Sequence, residues 1–358
     1  MPPQTAEQES LEAPHPRATT LLLGHASAER ELLEAYRGRR VPHAFLLVGP
    51  KGIGKATLAY RMARFVLAHA DPAALEVTAA TSLNVAADNP VARRVAAQAQ
   101  GDLLVLERTP NDKGVLRQQI AVDDVRRTVS FFGSTAGEGG WRIAVVDAVD
   151  ELNRSSANAL LKVLEEPPQR ALLLLVSHSA ARVPPTLRSR CRIMTLRPLD
   201  EAEVAKAAAA ATGAVPADPR IVAASAAAEG SVARALALLD EDALGLRERA
   251  LALLDELPKL DTNGLHALGD CLAGTDAAPL TAFVDTVNAW LSRRLQGEDA
   301  AHDGGDRGVG RGVTGRMARL AEAWERVNAS ARDTEIYNLE RKPFVFSVFG
   351  LLAEATRG

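Results

Sequence analysis

The chain is 358 residues long, 47% apolar and 24% charged, a composition that excludes disorder and leaves room for two or three domains. Its 42 basic residues are outnumbered by 45 acidic ones, which excludes a protein that grips nucleic acid alone through a broad basic face. Two distant cysteines, Cys191 and Cys271, exclude a disulfide framework and a four-cysteine zinc module, and they fit a reducing cytoplasm. Residues 1–20 hold Glu7, Glu9, Glu12 and several prolines without an apolar stretch, so a flexible tail is expected, not a signal peptide. Residues 21–36 follow with helical spacing through Leu32, Leu33 and Tyr36. The run 44–48, closed by Gly49-Pro50, has the signature of a fully buried strand. A helix is expected through Leu58, Met62, Phe65 and Val66. The runs 103–106, 143–146 and 172–176 repeat the strand signature, with 193–196 as a shorter fifth. Helical patterns separate most of them, which predicts a parallel sheet covered on both faces. The stretch 71–100 carries no strand signal and reads as an insertion.

After Arg197-Pro198 the chain becomes rich in alanine and leucine, and buried-strand runs cease. Two all-helical domains are expected there, a small one at 199–256 and a second at 257–358. The apolar periodicity of Leu280, Phe283, Val287 and Trp290 makes the latter the expected site of oligomerisation. The glycine-rich stretch 297–315 lies in an all-helical region. It therefore reads as a flexible loop and not as a phosphate loop, which must link a strand to a helix. No apolar run approaches the ~20 residues that span a bilayer.

The strand ending at Val48 enters Gly49-Pro50-Lys51-Gly52-Ile53-Gly54-Lys55, a G-x-x-x-x-G-K phosphate loop in strand–loop–helix context. Gly49, Gly52 and Gly54 let backbone amides curl around phosphate oxygens, and Lys55 reaches the terminal phosphates. The next residue, normally the Ser or Thr that ligates Mg²⁺, is Ala56. Thr57 is turned about 100° around the helix. Asp147 ends the strand at 143–146 as the carboxylate able to orient Mg²⁺. Ala148 stands where a water-orienting glutamate is needed, and Asp150 lies two positions beyond. Hydrolysis is not expected. Nucleotide binding stays open, since a tight strand-to-helix turn alone accounts for the glycines.

Asn158-Ala159-Leu160-Leu161-Lys162-Val163-Leu164-Glu165-Glu166-Pro167-Pro168 resembles the bacterial clamp-loader subunits of the AAA+ superfamily. So do His43-Ala44-Phe45-Leu46-Leu47, Ser189-Arg190-Cys191 and, more weakly, Gly230-Ser231. The resemblance covers about residues 21–244. It implies an α/β P-loop AAA+ module at 21–198, an all-α lid at 199–256 and an all-α collar at 257–358. The family's tau/gamma motor keeps G-K-[ST], an Asp-Glu pair and four zinc-binding cysteines, all missing here. The resemblance is therefore to the family's non-hydrolysing stator type, with no zinc and no required cofactor. Ser177-His178 and Ala233-Arg234 also depart from the motor's sensor residues.

The resemblance implies that Arg190 serves as an arginine finger for a neighbour's ATP. It further implies tau/gamma and delta subunits as partners, with the sliding clamp and primed DNA reached through the assembled loader in the cytoplasm. Taken without the resemblance, Arg190 reads as an ordinary internal ion pair with Asp147 or a nearby glutamate, and 158–168 as plain core packing. The alternatives are an autonomous ATPase using Thr57 and Asp150, and the motor itself. Arg126 and Arg127 read as a solvated helix face or as DNA-phosphate contacts. His25, His43, His69 and His178 have no metal-ligand spacing.

Overall fold

The computed structural model describes residues 15–38, 41–110, 117, 119–133, 140–239, 241–274, 277–296, 310–337 and 339–357. It divides into two compact units, with the boundary between Leu236 and Ala237.

The first unit is built on five parallel strands: β1 (Ala44–Val48), β2 (Leu103–Glu107), β3 (Arg142–Asp147), β4 (Ala171–Ser177) and β5 (Arg192–Thr195), in the order β2-β3-β4-β1-β5. All five expected runs form strands. Every residue of β1 and β4 is buried, as their unbroken apolar sequences require. The edge strand β5 instead carries Arg192, whose guanidinium meets Glu31 at 2.6 Å. Such a charge on an outer strand discourages pairing with a further strand. Around the sheet lie α1 (Ala26–Arg37), α2 (Lys55–Ala68), α3 (Leu75–Ala79), α4 (Pro90–Ala96), α5 (Val122–Gly133), α6 (Arg154–Glu165) and α7 (Pro185–Arg188). Leu160, Val163 and Leu164 of α6 join Val125 and Phe132 of α5 in one core with Val146, Leu173 and Leu175 of the sheet. Asn153 caps α6 by accepting the Ser156 amide at 2.8 Å. Then α8 (Glu201–Thr212), α9 (Pro219–Ala227) and α10 (Val232–Leu238) follow.

Register fixes where chemistry can occur. Val48 pairs with Ser177, Val176 with Asp147, and Asp147 with Glu107. The carboxyl ends of four strands thus form one row, the edge at which open parallel sheets bind ligands.

Several expectations are corrected. The first helix begins at Ala26, not near Leu21. Of the expected tail, residues 1–14 lie outside the described residues, but residues 15–20 are packed against α2. Buried Arg64 donates to the carbonyls of Arg17 at 2.9 Å and Thr19 at 2.7 Å. Arg61 donates to that of Thr20. Two arginines, 7% and 3% exposed, need acceptors, and the backbone of this strap supplies them.

The second unit contains α11 (Glu241–Asp255), α12 (Thr262–Cys271), α13 (Ala277–Gln296), α14 (Gly310–Ile336) and α15 (Arg341–Thr356). Expectation placed 241–256 in the lid. Leu246, Ala250 and Leu254 of α11 are instead buried with Phe283, Val287, Val348 and Leu352 in the C-terminal core. A cut before Asp261 would therefore strip α11 of its packing. Of the expected loop 297–315, residues 297–309 lie outside the described residues, and 310–315 are the first turns of α14. Packing of Leu320 and Val327 farther along that helix outweighs the low propensity of its early glycines. The facing helices α13 and α14 are pinned by a polar cluster. Asn288 Oδ1 accepts from Trp324 Nε1 at 2.7 Å and from Asn328 Nδ2 at 3.0 Å.

The phosphate loop is tied down from behind. His25, 4% exposed, bonds through Nε2 to the Ile53 carbonyl at 2.6 Å. Burial lowers its pKa below the ordinary 6.5, so it is neutral and donates Nε2–H. The unfolded chain takes up a proton at about pH 6.5 that the folded chain resists, so this site favours unfolding as pH falls below 6.5 and has no effect well above it. A pH series of thermal melts should show Tm dropping below pH 6.5, with a shallower drop in His25→Gln. In the second unit, Asn288→Ala should cost about 1–2 kcal/mol in a denaturant titration, because two half-buried donors lose their acceptor.

Candidate nucleotide-binding site

A cavity of about 620 Å³ opens at the carboxyl edge of the sheet. Residues 51–54 of the loop, the strap, the end of β3, His178, and α8 and α10 enclose it. Gly52 (φ 78°) and Gly54 (φ 102°) adopt the left-handed backbone that a residue with a side chain resists. A side chain at Gly52 would also strike Ser231 and Ala233.

Besides that of Gly54, which accepts the Leu58 amide at 3.0 Å, three loop carbonyls are occupied. Lys55 Nζ donates to that of Pro50, Ala233 N–H to that of Gly52 at 3.3 Å, and His25 to that of Ile53. The amides of Lys51, Gly52, Ile53 and Gly54 bond to none of the described residues. They are the groups the glycines were expected to offer, and the start of α2 adds its own unpaired amides.

Lys55 is 3% exposed. Burial pushes its pKa down to about 8, although Asp147 and Asp150 pull it upward. Asp147 sits opposite, its carboxyl raised by burial against the counter-pull of His178 and Lys55. Ala56 and Ala148 supply no polar side chain, and Ala148 is 1% exposed. Asp150 does not replace the missing acid. Its oxygen accepts the His178 amide at 3.0 Å and lies 3.4 Å from His178 Nδ1. Burial alone would raise the Asp150 carboxyl, but these contacts outweigh it and hold the group at about 2.

Two further carboxylates, Glu107 and Glu151, line the cavity, and the sequence reading missed both. The parallel register of β2 with β3 was the signal that could have found Glu107. Glu107 meets His15 at 3.3 Å and Arg17 at 3.5 Å, and Glu151 meets Arg108 at 2.8 Å. Asp150, Glu107 and Glu151 are thus each already engaged by a basic side chain of the chain. The Mg²⁺ that phosphate-loop sites commonly carry does not fit these residues. The position after Lys55 offers no hydroxyl, since Ala56 stands there and Thr57, which lines the cavity, is one residue on, and among the described residues no three His, Cys, Asp or Glu groups converge as a metal site.

Gly52, Gly54, Lys55 and Asp147 are brought together as expected, whereas Gly49, whose amide donates to the Ser177 carbonyl at 3.3 Å, and Arg190 stand outside the cavity lining. Arg190 follows α7 and pairs with Glu165, the last residue of α6, at 2.8 Å, while donating to the Thr186 carbonyl at 2.9 Å. Its side chain is 35% exposed and that of Glu165 is 49%. The neighbouring arginines are engaged elsewhere, Arg188 on the Ala180 carbonyl and Arg192 on Glu31. Arg234 is held by Glu229 at 2.7 Å and does not line the cavity. Arg126 and Arg127 are exposed and paired along their own helix with Asp123 and Asp124. Burial pushes the Cys191 thiol up to about 12, which makes it inert as a nucleophile.

Residues 24–200 match the family model described as "DNA polymerase III, delta subunit". The delta' subunit of Pseudomonas aeruginosa DNA polymerase III is 38% identical over 149 residues, 42% of this chain and 41% of that protein. The Escherichia coli delta' subunit is 28% identical over 176 residues, 48% of this chain and 47% of that protein. The tau/gamma subunit of Haemophilus influenzae is 27% identical over 300 residues, 80% of this chain and 40% of that protein. The chain thus spans less than half the length of each of these relatives. Over residues 24–200 the chain thus resembles the DNA polymerase III delta-subunit family, delta' subunits among its relatives.

Proposed function

We propose that this chain is a non-hydrolysing, delta'-like subunit of the DNA polymerase III clamp loader. It completes the loader ring with tau/gamma and delta subunits in the cytoplasm. It presents Arg190 to a neighbour's ATP and so supports loading of the sliding clamp onto primed DNA. The polymerase and ATPase activities belong to the assembly.

The observation that carries this reading is the setting of Arg190, outside the chain's own cavity and held by an exposed carboxylate. An exposed ion pair contributes about 0–1 kcal/mol, so the guanidinium is exchangeable for a phosphate presented by another subunit. Its planar, permanently charged fork suits oxygens that gain charge during phosphoryl transfer. The chain's own cavity lacks two groups such transfer needs. The competing reading, an autonomous ATPase working through Thr57 and Asp150, meets an obstacle in the bond between Asp150 and His178.

Steady-state phosphate release from the purified chain should stay at background. A turnover of about 1 s⁻¹ or more that disappears in Lys55→Ala would restore the autonomous ATPase. In the reconstituted loader, Arg190→Ala should leave assembly intact and lower clamp-stimulated ATPase only in part. The single site that depends on it should lose about 10³–10⁵ in rate. Arg190→Lys should not rescue, and Arg188→Ala should have far less effect on ATPase. Unchanged ATPase in an assembled Arg190→Ala loader would make Arg190 a structural residue.

A further inference from the structure

The guanidinium of Arg190 is held by unequal partners, and the difference between them gives Glu165 a task. Nη1 donates to the Thr186 carbonyl at 2.9 Å and to the Ser189 hydroxyl at 3.4 Å, the one within α7 and the other just after it. Nη2 meets Glu165 Oε1 at 2.8 Å, at the end of α6. The first two acceptors are neutral and local to the arginine. They orient the fork whatever stands at Nη2. Glu165 adds a full negative charge, which orientation does not need and which competes directly with a phosphate for the same cation.

Nothing in α6 itself calls for that charge. Glu165 is the last residue of the helix and Glu166 follows it, although the negative end of a helix dipole disfavours carboxylates there. Its side chain is 49% exposed, so it fills no core, and its ion-pair partner among the described residues is Arg190. A carboxylate this close to the guanidinium would also stand close to any phosphate the same guanidinium took. In a water-poor interface two like charges at that range repel strongly. Glu165 and a phosphate are therefore alternative partners for Nη2, not simultaneous ones.

We propose that Glu165 is a catch on the arginine finger: it holds Arg190 within its own chain and yields it only to the terminal phosphate of a neighbour's ATP. The proposal rests on the reading of Arg190 as a finger acting in trans. Glu165 touches no reacting atom, and it is a positioning residue that acts through Arg190. An exposed pair lowers the free fraction of its arginine by only about twofold to sixfold. Such a catch is weak enough for a polyanion to open and strong enough to measure. Its effect is to slow turnover of the neighbour's ATP until the two subunits have closed on it.

The test is the finger-dependent ATPase of the reconstituted loader without sliding clamp, taken as the rate with Arg190 minus the rate with Arg190→Ala in the same background. Glu165→Gln keeps an acceptor oxygen and loses the charge, and it should raise this difference about two- to sixfold. Glu165→Ala should raise it as well. A difference that stays unchanged or falls in Glu165→Gln overturns the proposal, a fall making Glu165 a support that aims the finger. In the chain alone, Arg190 should react with phenylglyoxal about two- to sixfold faster in Glu165→Gln, with Arg188 as the internal reference. Equal rates overturn the proposal without assembly entering the measurement. Arg190→Ala separates the two ideas. A loss of ATPase there with no effect of Glu165→Gln strikes only the catch. No loss there in an assembled loader strikes the finger itself, and the catch with it.

Discussion

Three carbonyls of a six-residue loop govern this molecule's cavity. Backbone groups come in pairs of donor and acceptor, and burying either alone is costly. With the acceptors of Pro50, Gly52 and Ile53 engaged by Lys55, Ala233 and His25, the amides of Lys51 to Gly54 are left without a partner among the described residues. The three ties come from α2, from α10 and from the residue preceding α1. The loop is therefore a junction of three elements, and the cavity exists because they meet there.

Charge around that junction is balanced locally. Glu107, Glu151 and Asp150 each have a basic side chain from a different segment beside them: the strap, the residue after β2, and the residue after β4. Such pairs inside a cavity wall are worth more than pairs on a solvated face, because less water competes for them. Arg190 lies at the other extreme. Its partner Glu165 closes the helix whose sequence carries the family resemblance, so the two segments that suggested the family also touch in space.

Much of the sheet was legible because a parallel strand buried on both faces must be apolar throughout, and such runs are hard to mistake. The phosphate loop was legible for a similar reason, since glycine spacing before a lysine reports backbone geometry directly. What escaped were features whose partners lie far away in sequence. Glu107 looked like the polar end of a strand, and only register sets it beside Asp147. Asp150 looked like a spare catalytic acid until its bond to His178, 28 residues onward, accounted for it. Helix α11 has the same alanine-leucine composition as the helices before it, and composition does not say which core a helix joins.

The strap at 15–20 shows how a fold can depend on a segment without depending on its identity. Arg61 and Arg64 seize its backbone oxygens, at Arg17, Thr19 and Thr20, and most residue types present the same oxygen. As far as these ties go, the letters of the stretch are free to change so long as its path and length persist, although His15 and Arg17 also pair through their side chains with Glu107. Across distant relatives it would show little resemblance while remaining structurally indispensable, and the two arginines of α2 would be the legible trace of its presence.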